Sequence, residues 1–183
     1  MKHNISRRLF LQSLVVFLAG KSINVYANEQ KVIDKNIIEI RDEIIINSPI
    51  KDVFLFMTQL ENAHKISDHV EDIEIINNSK GKGGIYSRNL VIHGISNKQI
   101  VTVTDIKHNQ LYRTDTKLFG IEVRHIYHFT SISENTTKIT LVKEAHIKNW
   151  IDYTLKAFVK HQMNRPEHDG QHLLVIKSVF DSV

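Results

Sequence analysis

The stretch from Asn164 to Val183, NRPEHDGQHLLVIKSVFDSV, decides how the rest of the chain is read. Asn164 suits a helix N-cap and Pro166 suits the first helical turn, where its missing N–H costs nothing. Glu167 and Asp169 place negative charge at the positive end of the helix. Leu173, Ile176 and Phe180 then recur at helical spacing, and Leu174 and Val179 widen the stripe. The spacing predicts an amphipathic helix of about four turns. A helix that short is marginal alone in water, so its apolar face must pack against another element.

Upstream, strands dominate. Ile37 to Ile46 reads IIEIRDEIII, with Ile38, Ile40, Ile44 and Ile46 on one face and Glu39, Arg41 and Glu43 on the other. That alternation predicts a half-buried strand. Ser48 is expected to cap a first helix that begins at Pro49, with Val53, Phe54, Phe56, Met57 and Leu60 on its apolar side. A less regular segment, Glu61 to His69, has room for one short helical turn. From Val70 the period is two. Strands are predicted at Asp72–Ile76, Ile85–His93, Gln99–Ile106, Leu111–Phe119, Val123–Ser131 and Lys138–Ile147. The breaks NNSKGKGG, HGISN, KHNQ, FG and SENTT are short and carry Gly, Asn or Ser, as hairpin loops do. Six strands joined this way imply an antiparallel meander. A further helix is predicted from Asn149 to about Met163, ending where Pro166 enforces a break.

The fold class is therefore α+β: about seven antiparallel strands curved around a long C-terminal helix, in the order β, α, short α, six β, α. This order resembles the START-like helix-grip superfamily, which includes polyketide cyclases and dehydrases, lipid-transport and quinone-binding START proteins, and relatives of the birch-pollen allergen. The residues that carry the resemblance are the opening strand with Ser48-Pro49-Ile50-Lys51-Asp52-Val53-Phe54, and the closing His172-Leu173-Leu174-Val175-Ile176-Lys177. It spans nearly all of 37–183, read as one START-like domain. It implies a cavity between sheet and last helix that takes a hydrophobic or aromatic small molecule, such as a lipid, quinone or polyketide. The alternative it implies is a cyclase or dehydratase on the same fold. It carries over no shared catalytic set. The helical stretch from Asn149 to Met163 departs from many relatives.

Residues 1–27 read as a signal peptide. Ser6-Arg7-Arg8-Leu9-Phe10-Leu11-Gln12 leads into a short apolar run, and Val25-Tyr26-Ala27 offers a cleavage site. Basic start, short apolar core and small residue at the cut describe a secretory signal. The Arg7-Arg8 pair resembles the twin-arginine motif. Expected, then, are the twin-arginine export machinery as a partner and a periplasmic location. The alternatives are an ordinary secretory signal and an inner-membrane anchor left uncleaved. Membrane contact is otherwise expected only transiently. Residues 28–36 read as a flexible lead-in.

The signal also explains the charge. The whole chain carries a net +4. Lys2, Arg7, Arg8 and Lys21 supply all of it, leaving 20 basic and 20 acidic residues in the mature part. A balanced mature chain gives no reason to expect nucleic acid as a partner. Cysteine is absent, which excludes disulfides, thiolate metal sites and thiol nucleophiles.

Alternation assigns the strand faces. Val123, His125, Tyr127 and Phe129 are expected inward, with Tyr112, Thr114, Thr116 and Leu118, and with Tyr86, Arg88, Leu90 and Ile92. Gln99 to Ile106 is ambiguous, because both faces mix apolar with polar. The candidate ligand-binding residues are Tyr86, Arg88, Tyr112, His125 and Tyr127, with Leu173, Ile176 and Phe180 from the last helix. Phenols and an imidazole suit a ligand carbonyl, and an arginine suits a carboxylate or enolate. Each has a plainer role as a packing or structural residue of a strand. No nucleophile or acid–base pair stands out, and no cofactor motif is present. An inward Asp or Glu would favour the enzyme, but alternation turns the nearest candidate, Glu144, outward. His168 and His172 have i, i+4 spacing, yet Gly170 loosens the turn and no Glu lies between them, so no metal is expected. The Gly-rich Ser79–Gly84 lies between two strands and reads as a hairpin loop.

Overall fold

A computed structural model describes residues 36–66, 70–79, 81–92, 95–118, 120–148, 156–157, 160 and 170–181. Arg7, Arg8, Ala27 and the lead-in through residue 35 lie outside the described residues. So do His168, the cap proposed at Asn164, and all of the 149–163 helix except Lys156, Ala157 and Lys160, which are helical.

The elements are β1 (Ile37–Ile46), α1 (Ile50–Thr58), a 3-10 helix (Leu60–Lys65), β2 (Val70–Asn77), β3 (Ile85–Ile92), β4 (Ile95–Lys107), β5 (Leu111–Leu118), β6 (Ile121–Ser133), β7 (Thr136–His146) and α2 (Gly170–Asp181). Seven strands form one sheet in the order β1-β7-β6-β5-β4-β3-β2. All pairings are antiparallel, so the meander runs from β2 to β7 and the first strand joins beside the last.

Turn chemistry sets the registers. Gly120, at φ 92°, occupies the turn that pairs Leu118 with Ile121. Glycine takes that conformation without a Cβ penalty. Asn109 adopts the left-handed region at φ 54° in the β4–β5 turn, where asparagine is tolerated best after glycine.

Several strand ends shift by one or two residues from expectation, and two differences are more telling. HGISN is not all loop: Ile95, Ser96 and Asn97 pair with Ile92, Val91 and Leu90, so the hairpin is tighter than its composition suggests. Pro49, not Ser48, sits at the helix cap, and no side chain caps α1. The Ser48 carbonyl instead accepts a hydrogen bond from Thr137 Oγ1 at 2.8 Å, which ties the β1–α1 corner to β7.

The ambiguity in β4 has a physical cause. Val103 lies opposite Thr114 and Asp105 opposite Arg113, so Thr104 is an extra residue in a β-bulge. Gln99, Val101 and Val103 face inward before it, and Ile106 faces inward after it. One strand thus presents odd positions and then even positions to the same side.

The core lies between the inner sheet face and the helices. Ile139, Leu141 and Ile176 are fully buried, and each such aliphatic side chain contributes about 1.5–3 kcal/mol. α2 packs against β1 and the 3-10 helix. Its Leu173 and Ile176 enter the core, and Phe180 meets Phe56 edge-to-face at 5.3 Å. Phe54 holds α1 to β6 through an edge-to-face contact with Phe129, also at 5.3 Å.

Candidate functional site

The inner face of the sheet is not uniformly apolar. Its buried residues form two clusters. The first joins Ile46, Tyr86, Val101, Val103, Tyr112, Tyr127, Phe129, Ile139 and Leu141 to α1 and to Leu173 and Ile176 of α2. The second joins Ile38, Ile40, Leu118, Ile121, Val123, Ala145 and Ile147. Between them runs a belt of polar side chains that takes one or two positions from each of six strands.

In β1, Asp42 separates Ile40 from Ile44, and in β7 Lys143 separates Leu141 from Ala145. His125 separates Val123 from Tyr127 in β6. Thr114 and Thr116 separate Tyr112 from Leu118 in β5. Gln99 and Arg88 complete the belt on β4 and β3. The registers align them: Thr114 lies opposite His125, His125 opposite Lys143, and Arg88 opposite Gln99.

Burial along the belt is deep. Lys143 and Gln99 are each 3% exposed. Polar groups buried this far must be paired. Lys143 Nζ meets Asp42 Oδ2 at 3.2 Å. Arg88 Nε donates to Gln99 Oε1 at 2.9 Å, and Gln99 Nε2 donates to the Lys117 carbonyl at 3.1 Å. Thr116 Oγ1 donates to the Ile100 carbonyl at 2.9 Å.

Three tyrosines border the belt on the side of α2. Tyr112 and Tyr127 stack at 5.9 Å with an interplanar angle of 29°. Burial pushes the Tyr86 phenol above its ordinary value of 10.0, against the opposing pull of the Arg88 guanidinium. Burial pushes Tyr112 up further, Tyr86 and Tyr127 add to the rise, and Arg88 again opposes it. These two phenols therefore stay protonated at neutral pH, where they are hydrogen-bond donors and not bases.

No family model and no curated protein matches the sequence. Solved structures do match in shape. The ZhuI aromatase/cyclase from Streptomyces sp. R1128 aligns with a TM-score of 0.67 at 10% identity, covering 79% of this chain and 94% of its own. Norcoclaurine synthase from Thalictrum flavum aligns at 0.60 and 14% identity, over 88% of this chain and 98% of its own. A START superfamily protein from Mycobacterium smegmatis aligns at 0.57 and 9% identity, over 79% and 97%. This is the helix-grip fold.

Five of the sequence candidates sit on the inner face of the sheet, the side on which Leu173 and Ile176 of α2 pack. Tyr86, Tyr112 and Tyr127 are buried there, and Arg88 and His125 are half-buried in the belt. Leu173 and Ile176 close over the first cluster, while Phe180 packs outward of them on Phe56. The side chain of Ile92 lies outside the described residues. Glu144 faces outward as expected and pairs with Arg124 at 3.3 Å.

Five residues of the belt were missing from the candidate ligand-binding residues: Thr114 and Thr116, which alternation only placed inward, Gln99 in the ambiguous strand, and the charged Asp42 and Lys143. Asp42 and Lys143 are the inward charges of otherwise apolar files, Ile38-Ile40-Asp42-Ile44-Ile46 and Ile139-Leu141-Lys143-Ala145-Ile147. Their position in the alternation was the available signal.

A groove of about 570 Å³ lies on the opposite, outer face, lined by Lys98, Ile100, Thr102, Asp115, Lys117, Glu122, Arg124 and His146 among others. Its charges largely satisfy one another. Arg124 bridges Asp115 at 3.2 Å and Glu144 at 3.3 Å, and Lys148 pairs with Glu122. Burial, convergence of donors and flanking apolar surface favour the inner face as the candidate site. Among the described residues, no group of three metal-ligating side chains occurs, and no helix is long and apolar enough to cross a membrane.

Proposed function

We propose that the protein is exported and binds or carries a hydrophobic or aromatic small molecule between the inner sheet face and α2. The observation that carries this reading is the polar belt set between two apolar clusters. An interior needed only for stability would gain nothing from a buried lysine and a half-buried arginine, because well-packed apolar residues serve as well or better. Ligand sites have this composition: mostly apolar and aromatic walls with a few convergent polar groups. The similar solved structures include an aromatase/cyclase and a START superfamily protein, which agrees with this class.

Export by the twin-arginine route rests on Ser6 to Gln12 and belongs to the same proposal. It places the mature protein in the periplasm. The test is native mass spectrometry with lipid extraction on protein recovered from the exported compartment. A copurifying apolar molecule is expected, and an empty protein that takes up no apolar probe would refute the reading.

A second reading, a cyclase or dehydratase, gains support from Asp42. Its carboxylate faces inward and pairs with Lys143, the residue that lies opposite His125 in the β6–β7 register, so the inner face holds a carboxylate that the sequence alone left out. In such an enzyme a belt carboxylate or imidazole would take a proton next to a ligand carbonyl. Lys143, Arg88 and the protonated tyrosines would hold the resulting enolate oxygen. Turnover of a polyketone substrate by the wild type, abolished in Asp42→Asn with binding retained, would select this reading over simple carriage.

A further inference from the structure

The belt runs across the strands near the middle of the inner face, with apolar side chains on both sides. A ligand whose polar group is terminal, such as a simple fatty acid, can satisfy the belt only by leaving one apolar cluster unfilled. A ligand with oxygen in mid-length satisfies both at once. We propose that the site selects elongated molecules that are apolar at both ends and carry a carbonyl or enolate oxygen between them. This rests on the inner-face binding reading above and specifies its ligand class.

The dimensions agree. Side chains two apart on one strand are separated by about 6.6 Å. In β7, Leu141 and Ala145 therefore flank Lys143 at about that spacing on either side, as Tyr127 and Val123 flank His125 in β6. Arms of four or five carbons on each side of an oxygen span those steps. Donors along the belt come from separate strands: Lys143 on β7, Thr114 on β5, and Arg88 on β3 held by Gln99. Arg88 is the belt cation whose hydrogen bond is to a neutral amide and not to a carboxylate, which leaves its charge available to an enolate.

The selection predicts a difference between positional isomers of equal hydrophobicity. The probes are 6-undecanone and 2-undecanone, each competing with the fluorophore N-phenyl-1-naphthylamine on the full chain. Wild type should bind 6-undecanone about tenfold more tightly, the equivalent of one well-placed hydrogen bond. Thr114→Val and Lys143→Met should each shrink the ratio toward one, a comparison of two ketones within each variant that is independent of any change in its fluorophore affinity. Thr114→Val is nearly isosteric, and a cooperative thermal transition in each variant shows that it is folded. Equal affinities in wild type, or a ratio unchanged in both folded variants, would overturn the ligand class and leave the binding reading standing. Failure of either ketone to displace a bound fluorophore would also overturn it. Failure of the fluorophore itself to bind would overturn the binding reading and this inference with it.

Discussion

Lys143→Met probes the belt most sharply as a matter of energetics. The lysine is 3% exposed and its partner Asp42 is 21% exposed, with 3.2 Å between the charged atoms. Methionine keeps most of the aliphatic volume, so packing changes little. What changes is that a carboxylate facing the interior loses its cation. Removing one partner of a buried pair costs about 3–5 kcal/mol, and the partial access of Asp42 to water places this site near 3 kcal/mol. For a domain of this size that loss lowers Tm by about 6–12 °C. Urea unfolding followed by circular dichroism gives the value directly. The double variant Asp42→Leu with Lys143→Met leaves no stranded charge, so it should return to within about 1 kcal/mol of wild type. A cost below about 0.5 kcal/mol for the single variant would show that the pair is solvated and would refute the buried-belt account. A double variant as unstable as the single one would show that the belt is required for folding, which would remove the reason to assign it to a ligand.

Ile176→Ala should cost about 2–5 kcal/mol in urea unfolding, because the side chain is fully buried where α2 meets the sheet. A loss below about 1 kcal/mol would mean that α2 is not held through that face. Thr137→Val removes the hydrogen bond to the half-buried Ser48 carbonyl, at an expected cost of about 0.5–1.5 kcal/mol in the same assay. Tyr86 and Tyr112 have folded pKa values above their unfolded value of 10.0. Their contribution to stability is thus complete below about pH 10 and is lost as pH rises through the folded values. Tyr112→Phe should flatten the alkaline fall in Tm, and an unchanged slope would contradict the burial of that phenol. Arg7→Lys with Arg8→Lys should abolish export, measured by cell fractionation; normal export would rule out the twin-arginine route.

Much of the inner face is legible in the sequence because a strand's period is two and one face must be dry. Tyr86, Arg88, Tyr112, His125 and Tyr127 fall where alternation puts them. β4 resisted for a definite reason: the extra residue at Thr104 reverses the parity, and no single alternation describes a strand with a bulge. The β3–β4 hairpin is tighter than its composition suggests, since Ser96 and Asn97 are ordinary loop residues that tertiary pairing draws into β4. Asp42 and Lys143 are a different case. Their parity was plain, but each charge reads as an interruption of a strand until β1 and β7 are laid side by side. The pairing of first and last strands is a long-range fact, and with it the two interruptions become one ion pair.

The central claim is that ligand binds the inner face and not the outer groove, and the two faces share every strand from β4 to β7. Titration of isotope-labelled protein with N-phenyl-1-naphthylamine, followed by side-chain NMR shifts, separates them. The account predicts shifts at Leu141, Tyr112, Tyr127, Lys143 and Ile176, with little change at Ile100, Lys117 and Arg124. Shifts confined to Ile100, Lys117 and Arg124, with the inner set unmoved, would contradict it.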